Sequence, residues 1–188
     1  VDDLAFFDLE GETLTASQLA FLAALRSRLN DRLRPYCGEL TEDSLLLVLD
    51  VDAPDTALVS VGLELRRGRL QGDRISVHDR SFPTSPTVDG FLMEGAPDEL
   101  AATGAALLER FANRPIVRHE WLHRGKVYAD CYLFEDSGER LSQMYRGDWA
   151  PRGQERRLIT EGFVHGKGWV QTRGLGEPDR VVHVRGER

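Results

Sequence analysis

Ile116-Val117-Arg118-His119-Glu120-Trp121-Leu122-His123-Arg124-Gly125-Lys126-Val127-Tyr128-Ala129-Asp130-Cys131-Tyr132-Leu133-Phe134 is the stretch whose conformation decides the fold. Residues His119 to His123 spell H-E-x-x-H. On a helix the two histidines share one face and can hold zinc, with Glu120 as general base. Pro115 suits the first position of such a helix, and Gly125 its end. Against it, Ile116 and Val117 are β-branched, and no amphipathic stripe backs the ligands. A strand accounts for more residues. Val117, His119, Trp121 and His123 then alternate with Ile116, Arg118, Glu120 and Leu122. A short Arg124-Gly125-Lys126 turn leads into the strongly β-prone run from Val127 to Phe134. In extended backbone, at roughly 3.3 Å per residue, His119 and His123 stand about 13 Å apart and cannot share a metal. The pattern predicts a hairpin over 116–134. Zinc belongs to the minority reading, a hydrolase with His119 and His123 as ligands. Its third ligand would be His165, or else His78, His183 or Glu135.

Upstream, Thr15 and Gln18 have the spacing of a capping box. Leu22, Leu25, Leu29 and Leu33 then make one stripe, so a helix is predicted from Ala16 to Arg34, stopped by Pro35. Leu45–Val51 reads as a buried central strand, Ala57–Leu65 as an alternating one, and Leu70–Val77 as a weaker third. Their short connections imply an antiparallel meander. Ser81–Gly95, rich in Pro, Gly and Ser, is expected to be irregular, with Phe91, Leu92 and Met93 as an apolar tip. A second helix follows over Pro97–Ala112. After the hairpin come a strand around Leu141–Tyr145 and another over Leu158–Val164. A Gly166-Lys167-Gly168 turn leads to Trp169–Arg173, and Val181–Val184 is expected as an edge strand. The fold class is α+β: two helices on one face of a mostly antiparallel, curved sheet, in the order α-β-β-β-α-β-β-β plus a C-terminal hairpin and edge strand. A single domain over 1–188 is expected, with loosely similar halves, 1–80 and 97–188, joined by the 81–95 loop.

The 188 residues carry a formal charge of −7, which argues against sequence-independent nucleic-acid binding. Two basic clusters, Arg66/Arg67/Arg69 and Arg152/Arg156/Arg157, read as solvated faces. All but two of the 24 basic residues are Arg, a bias of GC-rich genomes that suggests a bacterial source. No apolar run is long enough for a membrane helix. No signal peptide is apparent, and Cys37 and Cys131 read as free thiols in a reducing cytoplasm. Asp50, Asp52 and Asp55 read as turn chemistry.

Glu120, Tyr128 and Asp130 are the candidate acid–base residues, with Trp121, Tyr132, His119, Phe91 and Met93 as candidate binding residues. The first functional expectation is a small acidic cytoplasmic protein without a cofactor that binds a protein partner, in an immunity, adaptor or regulatory role. Trp149, Trp169 or the Val181–Val184 edge would supply the contact. The second is a small-molecule enzyme or ligand-binding protein with a pocket on the concave sheet face. The third is the zinc hydrolase. Neither nucleic acid nor membrane is expected as a partner, and the oligomeric state is left open.

Overall fold

The computed structural model describes residues 3–53, 56–76, 78–165 and 169–186. The chain is an α+β protein whose contacts cluster into two compact units, Val1–Asn113 and Arg114–Arg188. The strands divide between two principal antiparallel sheets, of five and four strands, where the sequence suggested one.

In the first unit, α1 (Asp3–Phe6) and α2 (Ala16–Arg26) precede β1 (Tyr36–Leu40), β2 (Ser44–Ala53), β3 (Thr56–Arg66), β4 (Arg69–Ile75) and β5 (Phe91–Glu94), and α3 (Pro97–Asn113) follows. The five strands form the meander β1-β2-β3-β4-β5. Short links force the order of β1 to β4, because none of those is long enough for a crossover, and β5 then adds antiparallel to β4 after a longer connection. Helices α2 and α3 pack against the sheet. Gly104 of α3 lets them approach closely, since a Cβ there would lie 3.0 Å from Leu63 Cδ1.

The capping box forms as the sequence predicts, with Thr15 Oγ1 accepting from Gln18 N–H. The helix stops at Arg26, however, well before Pro35. Asn30 is the cause. Its Oδ1 accepts from the N–H groups of Arg32 and Leu33 at 2.9 and 3.2 Å, giving the backbone a local alternative to the helical ladder. Leu29 and Leu33 nevertheless remain in the core. The 81–95 stretch is less irregular than expected, because Phe91–Glu94 pairs with β4. Asp73, fully buried, accepts from Thr87 N–H at 2.8 Å and from Thr87 Oγ1 at 2.5 Å, which ties the connecting loop to the sheet.

In the second unit, β6 (Ile116–His123), β7 (Lys126–Phe134), β8 (Arg140–Tyr145) and the final strand β11 (Arg180–Arg185) form a sheet in the order β11-β6-β7-β8. Between them lie α4 (Gln154–Thr160) and the two-residue strands β9 (Val164–His165) and β10 (Trp169–Val170), which pair with each other. The predicted hairpin is present, and the Val181–Val184 edge strand lies within β11. The predicted strand at Leu158–Val164 is instead the end of a helix followed by a turn, with Val164 alone in a strand. Gln154-Glu155-Arg156-Arg157-Leu158 are good helix formers. Gly162, with φ 75°, closes the helix as a Schellman motif: Phe163 N–H donates to Leu158 O at 2.8 Å and Gly162 N–H to Ile159 O at 3.1 Å. The predicted Trp169–Arg173 strand shortens to β10, and a 3-10 turn over Thr172–Leu175 takes up the rest. The Gly166-Lys167-Gly168 turn and Asp55 lie outside the described residues.

Two hairpins in this chain close through the same unusual pair. Arg67-Gly68 joins β3 to β4 and Arg124-Gly125 joins β6 to β7, with φ values of 49° and 79° in the first and 51° and 76° in the second. Left-handed backbone at both central residues is the type I′ turn that matches strand twist. An arginine in that conformation costs about 1–2 kcal/mol, where glycine costs nothing.

Candidate functional site

The H-E-x-x-H residues lie in β6, in extended backbone. The zinc-helix geometry is therefore overturned. His119 and His123 are four strand residues apart, about 13 Å at roughly 3.3 Å per residue. The His165 side chain lies outside what the structure describes. Among the described residues no group of three or more His, Cys, Asp or Glu side chains has metal-binding geometry.

Strand register then sorts the other candidates. Glu120 is directly opposite Asp130, and Arg118 is opposite Tyr132. All four project from one face, and Arg180 of β11 joins them opposite Glu120. The Glu120 carboxylate is fully buried, with 0% exposure. Arg180 Nε donates to its Oε2 at 2.5 Å, Arg180 Nη2 pairs with the same oxygen, and Arg118 Nη2 pairs with Oε1. Arg118 Nη1 also donates to the Tyr132 hydroxyl at 3.2 Å. Burial pushes the Asp130 carboxyl up. Arg118 opposes this, Glu120 across the strand adds to it, and Arg146 and the Met144 backbone pull it down. Two guanidinium groups thus hold Glu120 as a cross-strand tie, with its charge matched in place.

The remaining hairpin candidates are on the other face. Trp121 and Tyr128 are buried with Val117, Ala129, Cys131 and Leu133, packed against Tyr145, Ala150 and Leu175. Trp121 Nε1 donates to Gly176 O at 3.1 Å, and the Tyr128 hydroxyl accepts from Gln154 Nε2 at 3.0 Å. The His119 ring meets Trp121 edge-on, with centroids 6.4 Å apart. The expected single surface of Glu120, Asp130, Tyr128, Tyr132, Trp121 and His119 is thus split between two faces. In the first unit Phe91 closes over Gly72: a Cβ on that glycine would strike the Phe91 ring and lie 2.8 Å from Leu107 Cδ2. Met93 pairs with Leu70. Asp50 accepts from Tyr36 Oη at 2.8 Å and Ser60 Oγ at 2.5 Å. Cys37 and Cys131 are free thiols, both pushed up by burial.

A different site assembles at the tip of the β6–β7 hairpin. His123, Arg124 and Lys126 face Asp148, Trp149, Ala150 and Arg152 across an open concavity of about 590 Å³. Trp149 is 38% exposed, on a short 3-10 turn after β8. The Arg146 guanidinium lies 4.4 Å from its ring centroid and Lys126 Nζ lies 5.3 Å from it, both within cation–π range. Arg124, Lys126 and Arg152 are exposed and form no ion pair among the described residues. The acidic neighbours are Asp148 and, beside Gly147, Glu155. A second basic concavity, of about 380 Å³, is lined by Glu64, Arg66, Arg67, Arg69, Gln71 and Leu92. Two of its three arginines are engaged: Arg67 pairs with Asp43 at 2.6 Å and Arg69 with Glu94 at 3.1 Å.

Sequence reading had singled out Trp149, Arg152 and His123 separately and had missed Arg124, Lys126 and Arg146. The usable signal was the Arg-Gly pair in the turn, which fixes both strand ends and directs their basic side chains to one tip. Among the described residues no helix is long and apolar enough to cross a membrane. Comparison of the chain with protein-family models, curated proteins and solved structures gives no match.

Proposed function

We propose that this protein acts by binding a protein partner, in an adaptor-like or regulatory role, and that the Trp149 concavity is where the partner docks. One observation carries this reading: a partly exposed tryptophan lies within cation–π range of Arg146 and Lys126, in a concavity whose Arg124 and Arg152 form no ion pair among the described residues. Tryptophan and arginine are the side chains most often found at binding hot spots, where a ring fills a pocket and a guanidinium finds an acid. A small-molecule enzyme built on Glu120 and Asp130 has less support. A buried carboxylate already ion-paired with Arg118 and Arg180 is poorly placed to accept a substrate proton.

The test is affinity capture with the full chain, wild type against Trp149→Ala, followed by mass spectrometry. A protein retained by the wild type and lost from the variant is the expected result. Identical recovery on both would overturn the reading.

A further inference from the structure

Resting on that reading, we propose that the partner presents an acidic, extended segment to the concavity, with its carboxylates paired to Arg124 and Arg152 and an apolar or aromatic side chain on Trp149. Three features of the second unit converge on this chemistry.

The first is charge. The whole chain carries −7, yet Arg124, Lys126, Arg146 and Arg152 gather near one indole, with Asp148, Glu155 and, acting on Arg146, Asp130 as the nearby acids. Long polyanions such as nucleic acid are repelled by the overall charge, whereas a short acidic segment meets only the local field.

The second is the contrast between the two Arg-Gly turns. Both force an arginine into left-handed backbone. In the β3–β4 turn that arginine is tied to Asp43. In the β6–β7 turn the equivalent Arg124 is exposed and has no carboxylate partner among the described residues. The same unfavourable placement is thus compensated within the protein at one tip and left open at the other.

The third is shape. The concavity is open to solvent and walled by a hairpin tip on one side and the loop after β8 on the other. Small molecules are usually enclosed over most of their surface, but an extended peptide can lie in such a trough with alternate side chains reaching its walls. Arg146 and Lys126 lie within cation–π range of Trp149, so a peptide side chain set on the indole would meet their positive charge.

The experiment titrates the full chain into a fluorescently labelled glutamate-rich peptide and follows anisotropy. A single-stranded oligonucleotide and inorganic phosphate serve as competitors. Arg124→Asn is the key variant, because asparagine suits the left-handed position and removes the guanidinium without straining the turn. The proposal expects saturable peptide binding. It should weaken about tenfold in an Arg124→Asn/Arg152→Gln double variant and by a similar factor in Trp149→Ala, with little competition from phosphate. Peptide binding that the variants leave unchanged would overturn it. Preferential binding of the oligonucleotide or phosphate at the same residues would also overturn it. No binding of any anion, together with loss of the captured protein in Trp149→Ala, would remove the acidic class alone. If Trp149→Ala also leaves capture unchanged, the docking site itself is refuted.

Discussion

Arg180 on β11 reaches across to Glu120 on β6, and its Nε–H donates to Oε2 at 2.5 Å. This contact fastens the last strand of the chain to the strand carrying the H-E-x-x-H letters, and it turns the apparent catalytic glutamate into a structural tie. Removing the acid would leave two guanidinium groups facing each other over a buried gap. Glu120→Ala should lower stability by about 3 kcal/mol, read from urea unfolding. Arg180→Ala should cost only about 1 kcal/mol, because Arg180 is more than half exposed and Arg118 still pairs with the carboxylate. Equal losses for the two variants would contradict this division of roles.

Asp130 gives the opposite sign. Burial, with Glu120 adding to it, holds its carboxyl above the ordinary carboxylate range despite Arg118 and Arg146. Above about pH 3.9 the unfolded chain releases this proton first, so the group weakens the fold as pH climbs through its folded-state value. Asp130→Asn should therefore be more stable than wild type at neutral pH. The advantage should shrink as pH falls towards 4, as thermal melts across that range would reveal. A variant less stable at every pH would refute the argument.

Zinc supplies a direct check on the extended backbone. Calorimetric titration should detect no one-to-one site that depends on His119 and His123 together. A tight site present in the wild type and lost in the His119→Ala/His123→Ala double variant would mean that the two imidazoles meet.

In the first unit Gly72 is the sensitive position. A methyl group there has to displace the Phe91 ring and press on Leu107. Gly72→Ala should cost about 1–3 kcal/mol in chemical denaturation. Pairing it with Phe91→Leu, which frees space, should recover part of the loss. An unaltered midpoint for the single variant would show that β5 packs less closely than the structure places it.

Asp179 pins the approach to β11. Its N–H donates to Glu120 O at 2.9 Å, and its Oδ2 accepts from Leu122 N–H at 2.7 Å. Asp179→Ala should cost about 1 kcal/mol and speed amide exchange at Leu122, measured by NMR. Unchanged exchange there would contradict the assignment.

Much of the architecture was legible from residue order. The alternation in 57–65 and the apolar run 45–51 produced strands where the pattern indicated. The β-branched start at Ile116-Val117 outweighed the H-E-x-x-H letters. Local polar chemistry was harder to read. Asn30 set the turn beyond α2 through its own side chain, and Gly162 closed a helix in a stretch that looked β-prone. Neither depends on hydrophobic periodicity. The division into two sheets was invisible because strand pairing partners are not written in any one segment. At the candidate site, facing was legible for Glu120 and Asp130 from the period of two. The extra residue in β7 carried Tyr128 to the opposite side, because the pairing shifts between Trp121 and Leu122.

The Arg124-Gly125 tip has a consequence for how this protein can change over time. Its two residues set His123 against Lys126, and through them the alignment of the β6–β7 ladder down to Ile116 and Phe134. Lengthening the tip by a single residue would slide one strand past the other and present buried side chains to water. Replacing Arg124 by a residue that tolerates left-handed backbone alters mainly what the tip displays. The tip is therefore constrained in length and in backbone conformation, while the charge at position 124 can change without rebuilding the sheet beneath.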